Sequence, residues 1–183
     1  MPITNISHGI AVNLHSIQYF MERIRINLPT EFTFSTTIPV RITDINYGNH
    51  LGNQVFLEMV HEARVQFLKH HGYTELAMEG VSLIMADAAI EYKGEVFYGD
   101  TIEVEMAMGG ASRVGFDLLY QLHAIRNGEK TLAAKAKTGL ICYNYELRKT
   151  VALPQAAADR MSGEESINSS VLNWIISGSF FAE

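Results

Sequence analysis

The chain has 183 residues, of which 48% are hydrophobic and 19% charged, with a formal net charge of −6. That length favours one domain with a full core, and that composition excludes a disordered chain. The negative charge argues against a general nucleic-acid or anionic-membrane binder, while leaving room for a local basic patch.

The single cysteine, Cys142, excludes an internal disulfide and fits a reducing compartment. Residues Met1 to Ser7 lack the basic start and apolar core of a secretory signal. No uncharged apolar run reaches the length of a membrane span. The expected location is the cytoplasm.

Residues 1–21 read as an N-terminal extension, with Leu14, Ile17, Met21 and Ile24 at helical spacing over a short run. From Glu22, Ile24, Ile26 and Leu28 alternate with Arg23, Arg25 and Asn27, which predicts a half-buried strand. Phe32, Phe34, Ile38, Val40 and Ile42 continue the pattern, and Pro39 marks an edge or a bulge. A helix is predicted from Asn53 to His71, because Val55, Phe56, Met59, Val60, Ala63 and Phe67 form an apolar stripe. Asn53 is its expected N-cap and Gly72 its C′ residue. A second helical piece is expected over Thr74–Met78.

Four strands follow. Ser82–Tyr92 is largely apolar, as in a strand buried on both faces. Thr101–Met108, Arg113–Ile125 and Thr131–Tyr143 come next, with Gly109-Gly110 as a turn and Asn127-Gly128 as a type I′ hairpin. One long helix followed by antiparallel strands is an α+β layout, an antiparallel sheet wrapped around a central helix. The domain spans residues 22–154. Residues 155–183 read as a C-terminal extension, with a short helix over Ala156–Met161 and a linker after it. An apolar run from Val171 to Phe181 is expected to dock on the body or a neighbouring subunit.

The densest chemistry lies between the strand ending near Ile42 and the helix. Thr43-Asp44-Ile45-Asn46-Tyr47-Gly48-Asn49-His50-Leu51-Gly52-Asn53 packs a carboxylate, amides, an imidazole and glycines into one turn. Such a loop at a helix start lines up side chains beside free backbone N–H groups, as acyl transfer requires. For Asp44 and Asn46 the plain alternative is an Asx turn. The seven histidines show no metal-ligand spacing, and His70-His71 would point apart on a helix. Phosphate-loop, dinucleotide-binding and Gly-x-Ser-x-Gly motifs are absent.

This block, with Phe56-Leu57 and Glu62-Ala63-Arg64 on the helix, resembles the Asp-x-Asp-x-x-Gly-His-x-Asn-Asn-x-x-Tyr-Leu…Glu-Glu-Ala-Arg signature of hotdog-fold thioesterases, the group of 4-hydroxybenzoyl-CoA thioesterase and its acyl-CoA relatives. His50, Asn53, Leu57, Glu62, Ala63 and Arg64 match in place. Phe56 replaces Tyr, Gly52 replaces the first Asn of the pair, and the Gly before the His comes early, at Gly48. The largest departure is Asn46, where many of these enzymes carry the catalytic Asp.

The resemblance implies hydrolysis of an acyl-CoA or acyl carrier protein thioester at a homodimer interface, without a metal or redox cofactor. It implies catalytic roles for Asp44, Asn46, His50, Asn53 and Glu62, with Asp44 or Glu62 supplying the carboxylate that an amide at Asn46 cannot. The N–H groups of Gly52 and Asn53 become the oxyanion donors. Gly52, Phe56 and Arg113 become substrate contacts, and Lys93, Lys135, Lys137 and Arg148 are further phosphate candidates. The alternatives are a non-catalytic acyl-thioester binder and a hotdog hydratase or dehydratase. The His-Phe-Pro-Gly type of signature is absent.

Overall fold

The structure, a computed structural model, describes residues 22–163. The helical spacing before Ile24 and the apolar run Val171–Phe181 lie outside the described residues. Strand β1 (Phe34–Pro39) leads through a short turn to helix α1 (Asn53–His70). Strands β2 (Ser82–Tyr92), β3 (Thr101–Ala111), β4 (Gly115–Arg126) and β5 (Glu129–Asn144) follow, then β6 (Lys149–Thr150) and α2 (Gln155–Ser162). The sheet runs β1-β3-β4-β5-β2, with β6 beside β5, and every pairing is antiparallel.

The period-two alternation decides which side is buried. Ile102, Val104 and Met106 of β3 and Leu118, Tyr120 and Leu122 of β4 face α1. Across from them stand Val55, Met59, Val60, Ala63 and Phe67, and one core results. Asn127 and Gly128, at φ of 51° and 85°, make the β4–β5 hairpin, as their sequence predicts. Gly72, at φ 81°, follows α1 in the left-handed conformation expected of C′. Pro39 ends the edge strand β1, where a missing N–H costs no ladder bond. Helix α2, in the segment read as an extension, joins the core through Ala157 and Met161.

Five local expectations change. Residues 24–28 pair with no strand; the Ile26 N–H instead donates to the Glu91 carboxylate at 3.1 Å. Alternation sets which side chains point inward, not whether a neighbouring backbone is free to pair. Residues 74–81 form consecutive tight turns with bridges Thr74↔Ala77 and Met78↔Val81, because five residues cannot offset helix nucleation. Gly109-Gly110 stays inside β3 at a bulge, and the turn comes at Ser112, whose N–H donates to Gly115 O at 2.8 Å. The N-cap of α1 is Gly52, with Asn53 the first helical residue. Strand β2 lies at the sheet edge, and residues 85–88 are exposed within one chain.

On the outer face, Glu103, Glu105 and His123 come close enough to share an ion. The Lys130 ammonium bonds both carboxylates and already supplies the positive charge there. Among the described residues, no helix is long and apolar enough to cross a membrane.

Burial holds the imidazoles of His71 and His123 below their ordinary range, aided by His70 and Arg160 at the first and Lys130 at the second. Between the folded pKa and the unfolded value of about 6.5, the unfolded chain binds more protons. Stability from these groups is therefore present at neutral pH and lost as pH falls below about 6.5. The melting temperature is expected to drop from about pH 7.5 to about pH 5, and His71→Gln should flatten that slope. A slope unchanged by His71→Gln would remove His71 from the account.

Candidate active site

The loop before α1 is built by its own polar side chains. Residues Ile42–Asp44 form a 3₁₀ turn. The buried Asp44 carboxylate accepts the Arg41 N–H at 2.8 Å, Arg41 Nε at 3.5 Å and the Thr43 hydroxyl at 3.4 Å. The Asp44 carbonyl accepts the Gly52 N–H at 3.0 Å, so that N–H is occupied and is not the oxyanion donor expected of it. Asp44 thus ties the start of the loop to its end.

Ile45 and Leu51 bridge, and between them the Asn46 N–H donates to His50 O at 2.9 Å. Asn46 Oδ1 accepts the Gly48 N–H at 2.7 Å, which turns Asn46 Nδ2 toward His50 Nδ1 at 3.4 Å. His50 Nδ1 also lies 3.1 Å from Leu51 O. The shorter contact requires Nδ1–H and leaves Nε2 as the acceptor of the ring. A Cβ at Gly48 would lie 2.9 Å from that Nε2, so glycine lets the imidazole sit against the turn. Asn49 takes φ 64°, which Asn tolerates.

No side-chain oxygen caps α1 at Gly52. The N–H groups of Asn53 and Gln54 can have no intrahelical partner, while the Val55 N–H reaches Gly52 O at 2.9 Å. The helix dipole adds partial positive charge at the same point. Gln54 folds its amide back over Gly52, 2.7 Å from where a Cβ would stand.

Asn53 lines a cleft of about 290 Å³ together with His50, Phe56, Tyr92, Lys93 and Glu95, among others. Tyr92 closes one side. Its hydroxyl donates to Asn53 O at 3.1 Å, and its ring meets Phe56 edge-on at 5.3 Å. The Leu51 N–H donates to Val96 O at 2.8 Å, fixing the loop of His50 beside the segment of Glu95. That segment is anchored at its far end. Asp100 accepts the Phe97 N–H at 2.9 Å and takes Arg126 in a two-point pair, both contacts 2.7 Å. Arg126 also holds the Asp100 carboxyl below its ordinary range.

His50, Asn53, Phe56 and Lys93 therefore meet at one cleft, with Gly52 at the helix cap beside it. Glu62 does not join them. It lies in a separate groove of about 370 Å³ between β1 and α1, with Glu58 and Arg41, and accepts Gln66 Nε2 at 2.7 Å. Nine residues separate it from Asn53, which on a helix is about 13.5 Å and a half-turn around the axis. Arg113 is exposed in the turn before β4, where its carbonyl accepts the Leu153 N–H at 3.0 Å. Lys137 is held by Asp117 at 3.1 Å and Asp87 at 3.4 Å, and Arg148 is exposed on the β5–β6 turn. Sequence reasoning did not single out Tyr92 or Glu95. The one local signal is a Lys-Gly-Glu break after an apolar strand, which does not reveal that the chain returns to the helix start.

The chain belongs to the thioesterase-like superfamily, whose family profile matches residues 40–161. Among solved structures it is similar to the 1,4-dihydroxy-2-naphthoyl-CoA thioesterase of Synechocystis, at 22% identity and a TM-score of 0.60, covering 70% of this chain and 94% of that one. A thioesterase-superfamily protein of Jannaschia gives a TM-score of 0.66 at 15% identity, covering 76% and 87%. A hypothetical protein of Staphylococcus aureus in complex with CoA gives 0.64 at 18% identity, also covering 76% and 87%. No curated protein matches. The fold is the hotdog, an antiparallel sheet around one long helix.

Proposed function

We propose that this protein hydrolyses an acyl-CoA thioester to a free acid and a thiol, acting in the cytoplasm as a homodimer. The observation that carries the reading is the cleft at the amino end of α1, where uncapped N–H groups, an imidazole and a carboxylate meet. The thioester carbonyl faces the N–H of Asn53 and Gln54, which stabilise the oxyanion. The Glu95 carboxylate takes a proton from water as its oxygen attacks the carbonyl carbon. His50, oriented by the bond from its Nδ1–H to Leu51 O, directs that water. The C–S bond then breaks, and the thiolate leaves to be protonated. Phe56 and Tyr92 pack against the substrate, and Asp44 keeps the loop in shape.

Dimerisation is supported by the uncovered edge of β2, where Met85 is 47% exposed beside Ala86 and Ala88. Such an edge is a ready pairing site, and a second copy would cover it. Sedimentation at micromolar concentration is expected to give at least a dimer; a monomer would overturn this part.

The test of activity is thiol release across acyl-CoA chain lengths. Asn46, an amide where related enzymes carry Asp, favours one second reading, a protein that binds and protects the thioester. Tight acyl-CoA binding without thiol release at any chain length would establish that reading instead.

A further inference from the structure

We infer that Asp100, gripped by Arg126, is a positioning residue for the thioester reaction: it fixes the wall that carries Glu95 against the loop that carries His50. The inference rests on the proposed function and concerns two residues that do not line the cleft.

Asp100 stands just before β3, with a side chain only 2% exposed. It closes the turn Phe97–Asp100 from both ends. Its carboxylate accepts the Phe97 N–H at 2.9 Å, and its own N–H donates to Phe97 O at 3.2 Å. Gly99, at φ 90°, lets the chain turn that tightly. Val96, immediately before the turn, is fully buried, and its carbonyl accepts the Leu51 N–H. Glu95 and His50 are the sequence neighbours of that bonded pair. On the other side, Asp100 O accepts the Val40 N–H at 2.9 Å, one residue before the Arg41 N–H that binds the Asp44 carboxylate. One residue thus joins the Glu95 segment to the start of the His50 loop directly and to its end through Phe97 and Val96.

Arg126 holds Asp100 in a way that specifies direction. Two guanidinium nitrogens donate to the two carboxylate oxygens at 2.7 Å each, and the guanidinium carbon lies 4.3 Å from the centre of the Phe97 ring. The fork fixes the carboxylate plane, and the ring contact sets Phe97 on the same cation. A buried ion pair adds little net stability over apolar packing of the same volume, because removing charges from water offsets their attraction. What this pair adds is geometry. Among the described residues, the Glu95 carboxylate has no hydrogen-bond or ion-pair partner. Its place is therefore set by the backbone that carries it, and Asp100 sets that backbone.

Thiol release and amide exchange on the full-length protein test this together. Arg126→Ala and Asp100→Asn are expected to lower kcat by about tenfold to hundredfold, the scale of a misplaced reacting group, with KM little changed. Arg126 is 47% exposed, so its loss leaves the core packed even where Asp100→Asn does not fold. Arg126→Lys keeps the charge and loses the fork, and should fall between Arg126→Ala and the parent. The double variant Glu95→Gln, Arg126→Ala should be no slower than Glu95→Gln alone, because the clamp acts through Glu95. Independently of catalysis, the Leu51 amide should exchange faster in both single variants, relative to Leu118 on the central strand β4. Parent-like kcat in Arg126→Ala would overturn the inference, as would a lowered kcat with Leu51 exchange unchanged. Losses that multiply in the double variant would also overturn it, because they mark general destabilisation. Full activity in Glu95→Gln beside a slow Arg126→Ala would do the same, since the clamp would then serve another group. Faster Leu51 exchange in a protein that releases no thiol would uphold the clamp between the two walls and reject the thioesterase reading alone.

Discussion

Glu95→Gln is expected to lower kcat for acyl-CoA hydrolysis by about 10²–10⁴-fold, the usual scale of general-base assistance. The change keeps shape and removes only the ability to take a proton. Glu95 is exposed, so folding should not suffer. Two comparison variants make the result specific. Glu62→Gln should retain most activity, because Glu62 faces the groove beside β1, half a turn of helix away from Asn53. Asp44→Asn should act on stability first, because its carboxylate accepts the Arg41 N–H and holds the turn. His50→Gln should also lower kcat, since His50 shares the cleft with Glu95. Thiol release by the purified proteins, with circular dichroism as a folding control, reads all four. Full activity in Glu95→Gln together with loss in Glu62→Gln would reject the assignment. It would mean that the carboxylate comes from the helix of a partner, reaching across an interface that one protomer does not contain.

The sheet and the central helix were legible because each is written as a period. Val55 to Phe67 repeats at helical spacing, and Ile102 to Met106 and Leu118 to Leu122 alternate, so core and solvent faces follow directly. The Asn127-Gly128 hairpin was legible because both positions require positive φ. The amino side of the site was legible for a related reason: Asp44, Asn46, His50 and Asn53 are neighbours in sequence and fold as one local turn. Its other wall was not. Tyr92 and Glu95 reach the same cleft from about forty residues away, through the Leu51–Val96 and Tyr92–Asn53 bonds, which no local pattern encodes. Glu62 lies on the same helix, but within one chain the nine residues from Asn53 set it half a turn away, facing the groove beside β1. The strand expected over residues 24–28 does not form. Its alternation is real, but Ile24 is exposed and only Ile26 is buried.

Glu75→Ala is expected to cost about 3 kcal/mol of stability, because it strands a buried guanidinium. Arg64, on α1, has a side chain only 6% exposed. Its Nε donates to Glu75 Oε1 at 2.7 Å, and one terminal nitrogen lies 3.8 Å from Met85 Sδ. Deeper in, burial pushes the Tyr120 phenol up to about 12, and its hydroxyl lies 2.8 Å from the Thr138 hydroxyl. Little water is within reach of Arg64 once Glu75 is gone. The range for breaking a buried ion pair is about 3–5 kcal/mol. The lower end applies because Glu75 is 33% exposed and is partly solvated already. For a chain of this size that corresponds to a melting temperature lower by about 6–12 °C. Arg64→Met should cost less, although it removes the same pair. Met fills much of the same volume, and the freed Glu75 carboxylate can turn to water or to His61, whose Nε2 is 3.6 Å away. Glu75→Gln should fall between the two, because its amide oxygen still accepts from Nε. Denaturant titration of the three variants gives the order, and moderate salt should change the parent little, since buried pairs are poorly screened. If Arg64→Met is instead the most damaging of the three, Arg64 stabilises the fold through its packing beside Met85 of β2 rather than through its charge.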